Sequence, residues 1–210
     1  MKKCALILIL TLLGVPRLQA ESQFMVDAQS QLYLQGNSTL YPYSSTATVL
    51  NINAKFSQKY KDAQEILTGA KIDAKTGAKA GAKVEKFELS IPVTALKSGE
   101  SLLDKNMQSS LKATRYPKII YELKRYTIYP SSGGIFLVAA EGTLTVAGTE
   151  KKIELNLSAR PDGNRLNLKG SCPLKMTDFA IHPPELMFGM IKTANEIVIR
   201  FDITLLINKN

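Results

Sequence analysis

The chain has 210 residues, with 27 Lys and Arg, 18 Asp and Glu and a single His, which gives a formal net charge of +9 at pH 7. Hydrophobic residues make up 45% of the sequence, so wholesale disorder is excluded, and the length suits one domain. Two Cys and one His exclude a disulfide-rich scaffold and a metal centre built from several His or Cys ligands.

The first twenty residues predict a secretory signal peptide. Lys2 and Lys3 precede an uncharged apolar run over residues 5–15, and cleavage is expected after Ala20. The run is shorter than the roughly 20 residues that span a bilayer, although an N-terminal membrane anchor stays open as the alternative. We therefore expect a periplasmic or secreted protein with one domain over residues 21–210, a net charge of +6 and Cys172 as its remaining thiol.

Alternation of apolar and polar residues dominates the rest of the chain and is typical of half-buried strands. It occurs over residues 50–56, 87–93, 119–123, 144–146, 153–157, 166–172 and 197–207. Short turns separate several of these segments, including a predicted hairpin turn at residues 161–164. The pattern predicts an all-β fold, an antiparallel β-barrel of about eight strands with one or two short helices.

Two stretches break the alternation. Residues 101–111 place Leu103, Met107 and Leu111 four apart, as on one face of a short helix whose start Ser101 or Asp104 would cap. Residues 179–195 are too apolar for an ordinary loop, and we expect them to line or cover one end of the barrel.

Residues 68–83 form a low-complexity insertion rich in Lys, Ala and Gly, with Lys71, Lys75, Lys79 and Lys83 spaced by four. One interpretation is a basic tether that brings the protein into peripheral contact with anionic membrane headgroups. The other is a solvated loop. No aromatic residues alternate with these lysines, so a nucleic-acid partner is not expected.

Five segments together carry a family resemblance. Residues 91–99, 103–107, 113–119, 141–153 and 176–181 hold, in order, an apolar strand, an Asp near the start of a short helix, "RYPKI", "EGTLTVAGTEKKI" and "MTDFAI". This order resembles the YceI-like family. The resemblance implies a lipocalin-like barrel whose apolar cavity holds an isoprenoid, quinone-like or fatty-acyl ligand. It also implies a binding or carrier protein rather than an enzyme, and homodimers occur in the family. No cofactor and no metal are expected.

Strand parity predicts which side chains would line such a cavity. Met176, Phe179 and the apolar residues near position 188 are expected to close one end, where flexible Met side chains adapt to irregular shapes. The full predicted set of ligand-binding residues is Phe87, Leu89, Ile91, Tyr121, Leu123, Leu144, Val146, Leu155, Leu157, Leu168, Cys172, Met176, Phe179, Met187, Phe188, Met190, Ile199 and Phe201. The alternative for each of them is that it packs against its neighbours in a filled barrel.

Catalytic constellations are weak in this sequence. His182 lies near Asp178 and Glu185, but no second His and no helical spacing support a metal site or an acid–base pair there. Ser38, Ser44 and Ser45 have no general base nearby in the sequence. A carrier of an apolar chain is therefore expected, with two alternatives: a closed-core interaction or stress protein, and an enzyme built on the same barrel.

Overall fold

The computed structural model describes residues 24–56, 62–68, 79–80, 84–186, 188 and 190–207. The strands within these ranges are β1 Phe24–Val26, β2 Gln31–Ser38, β3 Pro42–Ala47, β4 Asn51–Phe56, β5 Lys79–Ala80, β6 Val84–Pro92, β7 Leu96–Lys97, β8 Lys118–Pro130, β9 Phe136–Val146, β10 Thr149–Asp162, β11 Arg165–Lys175, β12 Glu185–Leu186 and β13 Ile191–Ile207. The α-helices are α1 Ala63–Thr68 and α2 Ser101–Ser110, and short 3-10 helices lie at Val93–Ala95, Ser132–Gly134 and Met176–Phe179. The predicted signal peptide and most of the Lys-rich insertion lie outside the described residues.

The strands form one curled antiparallel sheet, in the order β4-β6-β8-β9-β10-β11-β13-β2-β3-β7. β1 and β12 pair with β13, and β5 pairs with β8. The sheet curls far enough for β1, attached to β13, to pack against β4 at the far edge, where the ring centroids of Phe24 and Phe56 lie 4.8 Å apart. The predicted all-β antiparallel fold with one or two short helices is thus confirmed.

One end of the curled sheet is filled by a hydrophobic core. Helix α1 turns Ala63, Ile66 and Leu67 into it, and the Ala63 amide donates a hydrogen bond to the Gly163 carbonyl at 3.0 Å. Other buried side chains at this end are Phe24, Ala54, Ile128, Phe136, Ala159, Leu166, Leu205 and Ile207. A plug of this kind leaves only the opposite half of the barrel free to hold a cavity.

The structure departs from the predicted strand pattern at residues 161–164 and within residues 179–195. The predicted turn at residues 161–164 is tighter, because β10 continues to Asp162 and β11 resumes at Arg165, with Pro161 paired to Leu166. β13 begins at Ile191, inside residues 179–195, which interrupt the alternation in the sequence, and its register with β2 shifts between Thr193 and Ile197. No helix in the described ranges has the length and apolarity to cross a bilayer.

Helix α2 forms where the sequence predicts it, but the predicted caps are wrong. Its N-cap is Glu100, in extended conformation, without a side-chain cap hydrogen bond. Asp104 instead reaches back to Ser98, accepting bonds from its amide at 2.8 Å and its hydroxyl at 2.7 Å. These bonds tie the helix to the end of β7.

Candidate functional site

The half of the barrel opposite the plug encloses a cavity of about 360 Å³, within the size range of sites that bury a small organic ligand. Its walls are the inward side chains of the long strands, and α2 lies across it. Leu103, Met107 and Leu111 of α2 all line the cavity. The interior is therefore packed at one end and open at the other. The sequence left open an apolar cavity or a filled barrel, and the structure contains both, one at each end.

Fourteen of the predicted ligand-binding residues come together on this cavity wall. They are Phe87, Leu89, Ile91, Tyr121, Leu144, Val146, Leu155, Leu157, Leu168, Cys172, Met176, Phe179, Ile199 and Phe201. Twelve of them lie in strands, where parity predicts the inner face because side chains alternate between the two faces of a strand, whereas Met176 and Phe179 lie in a 3-10 helix. Their contact with a ligand stays a prediction.

Three predicted residues lie elsewhere. Leu123 has the parity of Tyr121, but it stands just before a β8 bulge, between Leu123 and Arg125, and does not line the cavity. Phe188 and Met190 lie in the turn between β12 and β13, where Phe188 has a φ of 56° and is fully exposed and Met190 is 69% exposed. They do not close the barrel as we expected. Met187 lies outside the described residues.

Sequence reasoning missed the contribution of β2 and β3. Leu32 and Leu34 of β2 and Tyr43 and Ser45 of β3 line the cavity. The alternation of Leu32 and Leu34 was the available signal, but Gly, Asn, Ser and Thr around them obscure a strand pattern. Further lining residues outside the predicted set include Ile52, Leu102, Ile119, Ile153, Leu174, Ile181, Ile191, Thr193, Ile197 and Ile203.

Three glycines carry aromatic rings from neighbouring strands, and the first is Gly36, where an added Cβ would overlap the ring of its cross-strand partner Tyr43. Gly170 is the cross-strand partner of Phe201, and a Cβ added at Gly170 would lie 2.7 Å from the Phe201 ring tip. At Gly142 an added Cβ would overlap the Tyr121 ring and the Glu122 carbonyl. Because glycine has no Cβ, these rings can lie against the sheet instead of extending into the lumen.

The lining is mostly apolar and nearly uncharged. Glu100, beside the α2 N-terminus, is the only ionisable carboxylate, and no Lys, Arg or His lines the cavity within the described ranges. Burial raises the pKa of Tyr121 to about 12, and Cys172 adds to that shift. Burial also raises the pKa values of Tyr43 and the Cys172 thiol. These groups are therefore protonated and neutral at physiological pH.

The cavity opens between the β2–β3 turn and the start of α2. Leu40, Tyr41 and Leu102 line it while remaining 60%, 57% and 69% exposed, so they mark its mouth. The turn is held in place by the Ser38 hydroxyl, which donates to the Tyr41 carbonyl at 2.9 Å. Exposed apolar side chains at the mouth of an apolar cavity suit the entry of an apolar molecule.

The sequence gives no support for a metal or acid–base site around His182, and the structure places this residue at the surface. His182 and Glu185 lie in a shallow surface depression, where Glu185 pairs with Lys192 at 3.5 Å. Within the described residues, no group of three or more His, Cys, Asp or Glu side chains is arranged to hold a metal ion.

Comparison with known proteins supports the fold. The family model of the YceI-like domain matches residues 37–205. Similar solved structures include a polyisoprenoid binding domain from Saccharophagus degradans, at 13% identity and a TM-score of 0.62, which covers 90% of this chain and 100% of that one. BcnA of Burkholderia cenocepacia shows 18% identity, a TM-score of 0.61 and coverage of 86% and 99%. The YCEI protein of Campylobacter jejuni shows 15% identity, a TM-score of 0.54 and full coverage of both chains. No curated protein matches this chain.

Proposed function

Since this chain belongs to the YceI-like family, as its sequence segments indicated, we propose that it is an exported carrier that holds an amphiphilic molecule with an apolar chain in the barrel cavity. An isoprenoid, quinone-like or fatty-acyl molecule fits this description. The similar structure from Saccharophagus degradans is described as a polyisoprenoid binding domain. Export rests on the signal peptide predicted for residues 1–20.

The observation that carries the proposal is the chemistry of the cavity wall. Inward residues of ten strands and of α2 line a cavity of about 360 Å³, and most of these side chains are Leu, Ile, Val, Phe or Met. Removing an alkyl or prenyl chain from water contributes about 0.8 kcal/mol per CH₂ group. About a dozen such groups supply on the order of 10 kcal/mol before the costs of association, without any charged partner.

Binding is proposed in preference to catalysis because the lining offers few reactive groups. General acid–base catalysis needs a titrating group near the operating pH, and burial moves the pKa values of Tyr121 and Cys172 upward, away from it. Glu100 stands alone at the mouth, without a second carboxylate or a His among the described lining residues.

Peripheral membrane contact through the Lys-rich insertion and homodimer formation are further parts of the proposal. Both rest on the sequence and on the family, since most of the insertion lies outside the described residues. Flotation of the mature protein with anionic vesicles tests the first, and sedimentation equilibrium tests the second.

Native mass spectrometry of the purified mature protein tests the carrier function directly. We expect a co-purifying prenyl or acyl chain, or uptake of an added quinone, fatty acid or polyprenyl compound. A folded protein that is ligand-free and takes up none of these classes would refute the proposal and favour the closed-core alternative.

Two Arg substitutions on β10, one facing the lumen and one facing outward, test whether the ligand occupies the cavity. Leu157→Arg puts a guanidinium on the cavity wall, where an unpaired charge opposes an apolar chain, and should abolish uptake. Asn156→Arg adds the same charge one residue earlier on β10, at an exposed position, and should leave uptake unchanged. Unaltered uptake by a folded Leu157→Arg protein would show that the apolar chain of the ligand does not enter this lumen.

A further inference from the structure

Large apolar side chains project into solvent around the mouth of the cavity. Leu40 and Tyr41 in the β2–β3 turn and Leu102 on α2 are each more than half exposed. Phe188 and Met190, in the turn between β12 and β13, are exposed as well. A single exposed apolar side chain is ordinary on a protein surface, whereas several at one end of the molecule indicate a surface that meets an apolar partner.

Hydrogen bonds hold the two turns beside each other. The Thr39 amide donates to the Lys192 carbonyl at 3.0 Å, and the Thr39 hydroxyl donates to the Met190 carbonyl at 3.3 Å. The Lys192 amide donates to the Thr39 hydroxyl at 3.2 Å. Because the β2–β3 turn and α2 also line the same mouth, the three elements present one apolar rim, made of Leu40, Tyr41, Leu102, Phe188 and Met190.

The position of Phe188 is unfavourable for the isolated chain in two ways. Its side chain is fully exposed, and its φ of 56° lies in the left-handed region, which a bulky aromatic residue rarely adopts. Residues held in such backbone conformations cluster at functional sites. Phe188 therefore contributes little to the packing of the fold, which indicates a role in contact with a partner.

Positive charge lies beside the rim. Residues 105–118, from the middle of α2 to the first residue of β8, contain no acidic residue and four basic ones, Lys105, Lys112, Arg115 and Lys118. All four are exposed, and none has an ion-pair partner among the described residues. Lys105 lies three residues after Leu102 on α2, so the two side chains share one face of the helix.

The carboxylates next to the rim offset only part of this charge. Asp104 is paired with Lys97 at 3.7 Å, and Glu185 is paired with Lys192 at 3.5 Å. Glu100 remains as the carboxylate at the mouth. The surroundings of the rim are therefore net positive and complementary to phosphate headgroups.

We propose that the apolar rim docks on an anionic lipid bilayer, with its side chains at the boundary between headgroups and acyl chains and the basic residues of the 105–118 segment against the headgroup phosphates. A bilayer offers both an apolar interior and anionic groups, which matches this combination of side chains. Tyr, as at position 41, is a residue type enriched at membrane interfaces. The contact does not depend on which molecule the cavity holds.

This surface is separate from the Lys-rich insertion. Strand β5, which lies within the insertion, pairs with Ile128 and Thr127 of β8, and Ile128 belongs to the plugged end of the barrel. Docking through the rim instead places the open end against the bilayer. An apolar chain then passes between the bilayer and the cavity without crossing bulk water.

Flotation of the full mature protein with phosphatidylcholine vesicles, with and without phosphatidylglycerol, measures this contact. We expect stronger binding to the vesicles with phosphatidylglycerol, and weaker binding as salt is raised. Phe188→Ser should weaken binding at least about tenfold, because it removes a large apolar side chain from the contact. Lys105→Gln should weaken it about fivefold. Arg160→Gln removes the same charge from an exposed position at the plugged end and should leave binding unchanged.

A tryptophan at the rim reports the orientation, because the chain contains no Trp of its own. The emission of Phe188→Trp should shift to shorter wavelength when the anionic vesicles are added, since the indole ring leaves water. Leu137→Trp is the matched control. Leu137 is an exposed apolar residue at the plugged end, where it pairs with Tyr129 beside Ile128, and its Trp variant should show no shift.

Three results would contradict docking through the rim. The first is a wild-type protein that does not float, or flotation that Phe188→Ser and Lys105→Gln leave unchanged. The second is a shift of Leu137→Trp without one of Phe188→Trp, which would place the bilayer at the plugged end beside the insertion. The third is a dimer that forms without vesicles and is dissociated by Phe188→Ser, which would assign the rim to a second copy of the chain. Ligand uptake from solution is measured separately, so the carrier function stands even if docking fails.

Discussion

Replacing Gly170 with Ala tests whether the close approach of Phe201 shapes the cavity. Gly-to-Ala changes at compatible backbone positions stabilise a protein by about 0.4–1 kcal/mol, because they restrict the unfolded chain. Gly170 is a strand residue without a positive φ, so its backbone accepts Ala. In the absence of a steric conflict, the variant should therefore be more stable than the wild type.

The structure predicts the opposite sign. The new Cβ would lie 2.7 Å from the Phe201 ring tip and 3.0 Å from Leu157 Cβ, whereas ordinary contacts are 3.4–4 Å. The ring must therefore retreat by about 1 Å, away from the sheet and into the lumen. Overpacking of this kind costs typically 1–3 kcal/mol, so Gly170→Ala should lower the free energy of unfolding by about that amount. It should also reduce ligand uptake.

Urea denaturation followed by circular dichroism measures the effect, and Phe201→Leu supplies the matched background. Leu lacks the ring atom that meets the new Cβ, so Gly170→Ala should cost less in the Phe201→Leu protein than in the wild type. A coupling energy of about 0.5–3 kcal/mol is expected for side chains in direct contact. If Gly170→Ala raises stability, or costs the same in both backgrounds, the ring does not rest on this glycine.

Three further predictions concern the anchoring of α2, the Tyr121 phenol and the mouth. Hydrogen bonds from Ser98 lower the pKa of Asp104, and Lys97 has a smaller effect in the same direction. The Asp104 carboxylate therefore contributes stability that is present above the ordinary pKa of 3.8 and is lost as pH falls through the lowered value. Asp104→Asn should therefore lower the urea midpoint at pH 7, and a difference that persists unchanged at pH 2 would contradict this. Burial raises the pKa of Tyr121 to about 12, so the neutral phenol contributes folding stability that is fully present below pH 10 and is lost as pH rises through 12. Tyr121→Phe should therefore lose less stability than the wild type between pH 9 and 11. Leu102→Glu at the mouth should slow ligand association in stopped-flow measurements, whereas Leu137→Glu, which is 51% exposed on β9 and outside the cavity lining, should not; equal rates would place the entrance elsewhere.

Some of the site could be predicted because its signal is local. The alternation in β6, β10, β11 and β13 fixes which side chains share a face, and a hydrophobic face of an antiparallel sheet is the buried one. Phe87, Leu157, Leu168 and Ile199 were thus placed on the lumen side from the sequence. The order of the family segments then indicated a lipocalin-like barrel.

Other parts of the site depend on a bulge, a turn and a strand pairing that leave no signal in the local sequence. A β8 bulge lies between Leu123 and Arg125, so a parity count carried along the strand goes wrong there. The turn at Phe188 leaves an apolar side chain in solvent, although composition alone suggests burial. Ser44 and Ser45 look alike in the sequence, yet only the pairing of β3 with β2 decides that Ser45 lies beside Leu34 on the cavity wall.

The sequence by itself determined the all-β class, the family and fourteen of the side chains that line the cavity, because period-two alternation can be read directly from the order of residues. Whether those side chains fill the barrel or enclose a cavity was decided only by tertiary structure. Helix α1 plugs one end, α2 spans the other, and Gly142 and Gly170 let aromatic rings from neighbouring strands lie flat against the wall. Each of these depends on contacts between residues far apart in the chain, and packing of that kind is set by three-dimensional shape, which no local pattern encodes.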